Sequence, residues 1–118
     1  MATAQDNADV DDKVGGSTVI TTATYIMGWL STGTAYQLRV NGAAEVPNVI
    51  SGANNGDWFA DTAGRDNVTI GAMERNTIVT YGNIDAGEVV VYDGAVLTAG
   101  QIGSVEAYLA ARWGVTLA

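Results

Sequence analysis

The sequence predicts an all-β fold of antiparallel strands closed by one short helix at the C-terminal end. Three observations carry that expectation. From Ser17 onward Thr, Val, Ile and Tyr are frequent, and apolar and polar side chains often alternate, a pattern that suits a pleated, half-buried surface. One alternating run leads directly into Asn41-Gly42, which fits a type I′ hairpin turn because both central positions need positive φ. Beyond Thr98 the apolar spacing changes to three and four residues, the period of a helix.

Residues 1–16 stand apart from this texture. Asp6, Asp9, Asp11 and Asp12 face only Lys13, and Gly15-Gly16 closes the stretch. The expected organisation is an acidic N-terminal arm over residues 1–16, followed by a β-sandwich domain over 17–118. Fixing one backbone residue costs about 1–2 kcal/mol, and after Met1 only Val10 and Val14 are sizeable apolar side chains in the arm. Val10 and Val14 are therefore candidate contacts through which the arm orders on a neighbouring subunit. The plainer reading is a solvated tail.

In residues 17–30, Val19, Ala23, Tyr25, Met27 and Trp29 share one parity, while Ile20, Ile26 and Leu30 share the other. A strand covered on both faces is expected there, with a turn at Ser31-Thr32-Gly33. Tyr36, Leu38 and Val40 alternate with Gln37, Arg39 and Asn41, the pattern of a half-buried strand. The return strand should run from about Ala43 to Ile50, with Pro47 marking an edge or its end. Residues 51–66 form one long loop. Strands are expected again at Val68–Gly71, at Ile78–Tyr81 and, most clearly, over residues 84–93, Ile-Asp-Ala-Gly-Glu-Val-Val-Val-Tyr-Asp. The helix should span about 99–113. Thr98 and Gln101 have capping-box spacing, Ile102, Val105, Leu109 and Trp113 make one stripe, and Gly114 suits the C-terminal stop. Packing of that stripe on the core is expected.

Composition removes whole classes of function. The chain has 118 residues, no Cys, no His and a formal charge of −8. Disulfides, thiol nucleophiles, Ser-His-Asp arrangements and the usual zinc sites need side chains that are absent. Excess negative charge repels phosphate backbones, so no nucleic-acid partner is expected. No apolar run approaches the ~20 residues that span a bilayer, and the opening residues lack the basic start and apolar stretch of a secretory signal. No membrane partner is expected.

The segment Gly87-Glu-Val-Val-Val-Tyr92-Asp93, then Leu97-Thr98, then Tyr108-Leu-Ala-Ala-Arg-Trp-Gly114 resembles the end of a concanavalin A-like lectin/glucanase domain of laminin-G type. Val40-Asn41-Gly42 and Val68-Thr-Ile-Gly71 are similar to a strand-turn and a later strand of that family, in the same order. The resemblance covers roughly residues 25–115 and falls on the family's C-terminal half. It implies an antiparallel β-sandwich of jelly-roll type, abbreviated relative to the family, with one short C-terminal α-helix. A sandwich this short is either pared down or completed by another subunit. Domains of this type recur in bacteriophage virion proteins, as adhesion or assembly modules.

Four candidate sites follow. Glucanases of this superfamily place carboxylates on one face of the concave sheet, and a retaining pair stands about 5–5.5 Å apart. Glu88 and Asp93 are five residues apart on one expected strand, an odd offset that sends them to opposite faces. No catalytic residue is assigned, and the chain is read as a non-enzyme. Asn55, Asp57 and Asp61, with Asn54 and Asp66, offer oxygens of the kind calcium takes, against the plainer reading of a solvated turn-rich loop. No cofactor is expected, and calcium is the one metal the loop suggests. Trp58-Phe59 is the adjacent aromatic pair of the same loop. It is either a core plug, a subunit contact or a glycan platform. The Val10 and Val14 contacts of the arm complete the set.

The expected function is that of a non-enzymatic structural protein of a bacteriophage virion, a small capsid decoration or cement subunit. Its partners are copies of itself and a virion shell protein, and its location is the virion. The alternative is a carbohydrate-binding, lectin-like adhesion module whose partner is a glycan.

Overall fold

The computed structural model describes residues 2–7, 10–56, 70–71, 73–74, 78–79, 81–92, 94 and 96–118. These fall into two compact units, one drawn from residues 1–63 and 95–118, the other from 64–94. The first unit holds strands β1 (Ala2–Asn7), β2 (Val10–Gly15), β3 (Met27–Ser31), β4 (Tyr36–Val40), β5 (Ala43–Ala44) and β6 (Asn48–Ser51). They form two antiparallel three-stranded sheets, ordered β1-β2-β6 and β3-β4-β5. In the second unit β7 (Met73–Glu74) pairs with β8 (Ile78–Val79). The fold is β-rich, with antiparallel sheets and one C-terminal helix, α1 (Ala99–Trp113).

The second sheet follows the sequence reading closely. Tyr36, Leu38 and Val40 are buried on β4, while Gln37 is exposed and Arg39 half-buried. Asn41 and Gly42 take φ of 49° and 86°, so Val40 pairs directly with Ala43 across a two-residue turn, as both positive φ values require. Asn41 also serves as a tie. Its Oδ1 accepts the Ile26 N–H at 2.9 Å, its N–H donates to the Ile26 carbonyl at 2.9 Å, and its carbonyl accepts from the Ala118 N–H at 2.8 Å.

The N-terminal segment departs from the expected arm. β1 and β2 form a hairpin from Asn7↔Val10 to Ala2↔Gly15. β2 then pairs with β6 of the same chain, through Val14↔Val49 and Gly15↔Asn48, with a bulge between Lys13 and Val14. Val14 is fully buried and forms the core cluster with Tyr36 and Leu38, against which Trp29 packs. The boundary expected between residues 16 and 17 is thus crossed by the fold. The reason is chemical: Val14 supplies the apolar contact that β4 needs on its inner face, and two ladders satisfy the backbone polar groups that would otherwise remain with water. Val10 opens β2 and is paired with Asn7.

Four further expectations are affected. Residues 17–25 form no strand, and most of their side chains are exposed. Thr18 and Ser17 bond Glu45, 27 and 28 residues further along the chain, and Thr21 bonds the Tyr25 hydroxyl. The single return strand becomes two, β5 and β6, in different sheets on either side of Pro47, because proline lacks the N–H a ladder uses. Residues 84–92 carry no ladder to any described strand and are exposed throughout. Of the strand expected at Val68–Gly71, residues 68 and 69 lie outside the described residues, and Ile70–Gly71 form a bend.

The helix is bounded as expected. The Thr98 side chain accepts from the Gln101 N–H, the Gln101 side chain accepts from the Thr98 N–H at 2.9 Å, and Gly114 ends the helix at φ 65°. Its apolar stripe is less covered than expected: Ile102, Val105 and Leu109 are half-buried and Trp113 is exposed. The buried residue of α1 is Glu106. An ion pair, not a hydrophobic stripe, makes the most deeply buried contact of this helix.

Candidate functional site

The densest polar arrangement among the described residues surrounds residues 53–56. Asp12 and Val14 lie two apart on β2, so both project from one face, and both are buried. The Asp12 carboxylate accepts the Ala53 N–H on Oδ1 at 2.7 Å and the Asn55 side-chain amide on Oδ2 at 2.6 Å. Asn54 works beside it. Its Oδ1 accepts the Tyr36 N–H at 2.6 Å, and its amide nitrogen lies 3.4 Å from the Tyr36 carbonyl. The side-chain amide thereby imitates a strand neighbour for β4 at the point where the backbone ladder stops.

Gly56 completes this stem. Its φ is 71°, and a Cβ placed there would stand 2.4 Å from the Ala35 nitrogen, closer than any real contact. Only glycine combines that φ with that approach. The Ser31 hydroxyl donates to the Gly56 carbonyl. Asp12, Asn54, Asn55, Ser31 and Gly56 together fix residues 53–56 to both sheets of the first unit.

Two other polar contacts tie distant parts of that unit. The Arg39 guanidinium grips Glu106 with two bonds, Nε to Oε1 at 2.7 Å and an Nη nitrogen to Oε2 at 3.0 Å, and also donates to the Gly42 carbonyl. The hydrogen bond to Glu106 raises the Arg39 pKa above its ordinary value, burial opposes that rise, and the Glu106 charge adds to it. Glu45 accepts from the Thr18 N–H at 2.7 Å, the Thr18 hydroxyl at 2.6 Å and the Ser17 hydroxyl at 3.1 Å. Bonds from Thr18 lower the Glu45 pKa below the ordinary carboxylate value.

The expected site residues are distributed as follows. Asn55 is described, and its amide is donated to Asp12, a structural use of a residue the sequence offered to calcium. Asp57, Trp58, Phe59, Asp61 and Asp66 lie outside the described residues, as does Asp93. Glu88 lies in the exposed run 81–92. Val14 is a core residue and not a free contact on an arm. Among the described residues, no group of three acidic side chains is placed to hold a metal ion. Each buried or half-buried carboxylate described here, Asp12, Glu45 and Glu106, is engaged with donors of its own chain.

Sequence reasoning missed Asp12, Glu45 and the Arg39–Glu106 pair. Asp12 sat in an acidic run that reads as solvated, and its partners lie 41 and 43 residues away. Arg39 gave one usable signal, a cation on the polar parity of a half-buried strand, but nothing local named Glu106 as its partner, 67 residues on.

No protein-family model matches the chain, and no curated protein or solved structure matches it either.

Proposed function

We propose that this chain is a non-enzymatic structural protein of a bacteriophage virion, a small decoration subunit that assembles with copies of itself on a shell protein. In this reading its two sheets belong to an abbreviated jelly-roll sandwich of the concanavalin A-like kind. One observation carries the proposal. The described chain leaves a run of large apolar side chains in solvent, with Ile84, Val89, Val90, Val91 and Tyr92 all exposed along one segment. Contiguous apolar exposure of this kind marks a surface that another macromolecule covers. An assembly role accounts for it. A catalytic role gains nothing from it.

The carbohydrate-binding alternative has one observation in its favour. The stem Ala53–Gly56 is pinned to both sheets, and Trp58-Phe59 follow it closely in sequence, adjacent aromatics of the kind that stack on a sugar ring.

The experiment is localisation and binding in parallel. Immunogold electron microscopy of virions with an antibody to this chain should label particles, and co-sedimentation should carry the purified protein down with shells that lack it. Unlabelled particles together with saturable binding on a glycan array would transfer the proposal to the lectin-like reading.

A further inference from the structure

We infer that Asn55 is a self-modification site: with Gly56 it loses its side-chain amide nitrogen to water, and the carboxylate left behind turns the Asp12 contact from attraction to repulsion and releases the 53–56 stem. The inference goes beyond the assembly reading and does not depend on it.

The chain holds two Asn-Gly pairs, Asn41-Gly42 and Asn55-Gly56. Asparagine is among the thermolabile residues, and it is most labile before glycine, whose backbone nitrogen no side chain screens. The chemistry needs only water. The Gly56 nitrogen gives up its proton and attacks the side-chain carbonyl carbon of Asn55. The new N–C bond closes a five-membered imide, the bond to Nδ2 breaks, and that nitrogen leaves as ammonia with the proton. Water then adds to one of the two imide carbonyls and reopens the ring. Opening at the side-chain carbonyl leaves an ordinary aspartate, and opening at the main-chain carbonyl leaves an isoaspartate, whose backbone is longer by one carbon. Nothing is oxidised or reduced.

The structure separates the two pairs. Asn41 is fixed through its side-chain oxygen, its N–H and its carbonyl, inside a turn whose flanking Val40 is buried and paired with Ala43. Ring closure there must break the bond from Ile26 and open the β4–β5 hairpin. Asn55 lies outside any strand or helix and is exposed. The atom that departs, Nδ2, is the one donated to Asp12 Oδ2 at 2.6 Å. Side-chain contacts from Asp12, Asn54 and Ser31 hold the stem, and residues 53–56 carry no ladder to a described strand, so the stem opens locally more often than a hairpin of the core. Gly56 is buried in the closed stem, and the ring therefore closes from the open one. The fold cannot exchange that glycine, because its φ of 71° and its approach to the Ala35 backbone exclude a Cβ. Packing thus retains the residue that makes Asn55 labile.

The consequence follows from Asp12. Its carboxylate is 1% exposed and accepts from the Asn55 amide and the Ala53 N–H. After conversion a second carboxylate stands where a donor stood. Two carboxylates in contact at a dry site cannot both stay ionised. Residue 55 borders solvent, so the new charge turns outward and the stem loses that tie. Reclosure would press acid against acid, and water does not restore the amide, so the change runs one way. Intact and converted chains differ by one negative charge and by the grip on the stem.

The test incubates the full chain under native conditions at neutral pH and reads residues 41 and 55 by peptide mapping with mass spectrometry, isoaspartate being scored by enzymatic methylation. Asn55 should convert about tenfold or more faster than Asn41, because the stem opens more often than the hairpin, and both aspartate and isoaspartate should form. S31A removes the donor to the Gly56 carbonyl and should speed conversion at Asn55 about threefold or more, with Asn41 unchanged in the same sample. N55D, made directly, should show faster hydrogen exchange at residues 53–56 than wild type, with the amides of β4 unchanged. Conversion at Asn41 that equals or leads that at Asn55 overturns the site, as does an Asn55 that stays intact in the native protein while the urea-unfolded chain converts. S31A no faster than wild type overturns local opening as the route. N55D with wild-type exchange in the stem overturns the release.

Discussion

Replacing Asp12 by Ala removes the acceptor of two hydrogen bonds at once and leaves the Ala53 N–H and the Asn55 amide facing a nearly dry site, since Asp12 is 1% exposed. Bonds to a charged group contribute about 1.5–3 kcal/mol each, and orphaned buried donors add to the loss. D12A should therefore lower stability by about 2–4 kcal/mol in urea melts, and D12N by less, because its amide oxygen still accepts one bond. Equal loss in the two variants would mean that the carboxylate is not what holds the stem. Glu45 gives a pH-dependent counterpart. Its folded pKa lies below the ordinary 4.5 because Thr18 donates to the charged form. A lowered folded pKa means that the contribution is fully present above the unfolded value and is lost as pH falls through the folded one. The stability gap between wild type and E45Q should be constant near neutrality and close below about pH 4.5, measured as melting temperature against pH. A gap that widens on acidification would reverse the assignment.

At the scale of elements, the Arg39–Glu106 pair decides how α1 is held. Their side chains are 18% and 8% exposed, so removing one partner strands the other in a poorly hydrated place. R39M or E106L alone should cost about 2–3 kcal/mol, while the double variant should recover most of that loss. Additive losses would show that the two side chains act independently. L109D, by contrast, places its charge at a half-buried position and should be milder than a core substitution. The same elements show what a sequence makes legible. The Asn41-Gly42 turn and the Thr98–Gly114 helix limits could be read directly, because their physics is local: positive φ, a hydroxyl three residues from an amide, an αL stop. The pairing of β2 with β6 could not be read, since its selection depends on Val14 meeting Tyr36 and Leu38 from far along the chain. Residues 84–92 make the converse point, for their strand propensity comes with no ladder to any described strand. The loop stem was legible as turn-rich, but its anchor, Asp12, looked like any other solvated acid.

For the whole molecule, the main revision concerns residues 2–14. As a detachable arm they could be deleted without loss of the β-domain. The fold instead spends them internally, with β2 central in its sheet and Val14 in the core. Their deletion should abolish cooperative unfolding, because it uncovers Tyr36 and Leu38, strips β6 of its ladder and frees the loop stem. The measurement is a thermal melt by circular dichroism with a fluorescent probe of exposed apolar surface. A sharp transition near the wild-type temperature would restore the arm. Net charge of −8 acts on the same scale, since copies of the chain repel at long range, and any self-association should strengthen as added salt shortens the Debye length.

The distance along the chain between Arg39 and Glu106, 67 residues, also sets an order of events in time. The β3-β4-β5 meander closes over short loops and can form within microseconds. Docking of α1 must instead await closure of a loop several times longer, which makes that contact a late one. Weakening it should leave the refolding rate nearly unchanged and accelerate unfolding. The ion pair thus acts as a latch on the finished fold, governing how long the native state persists more than how fast it is reached.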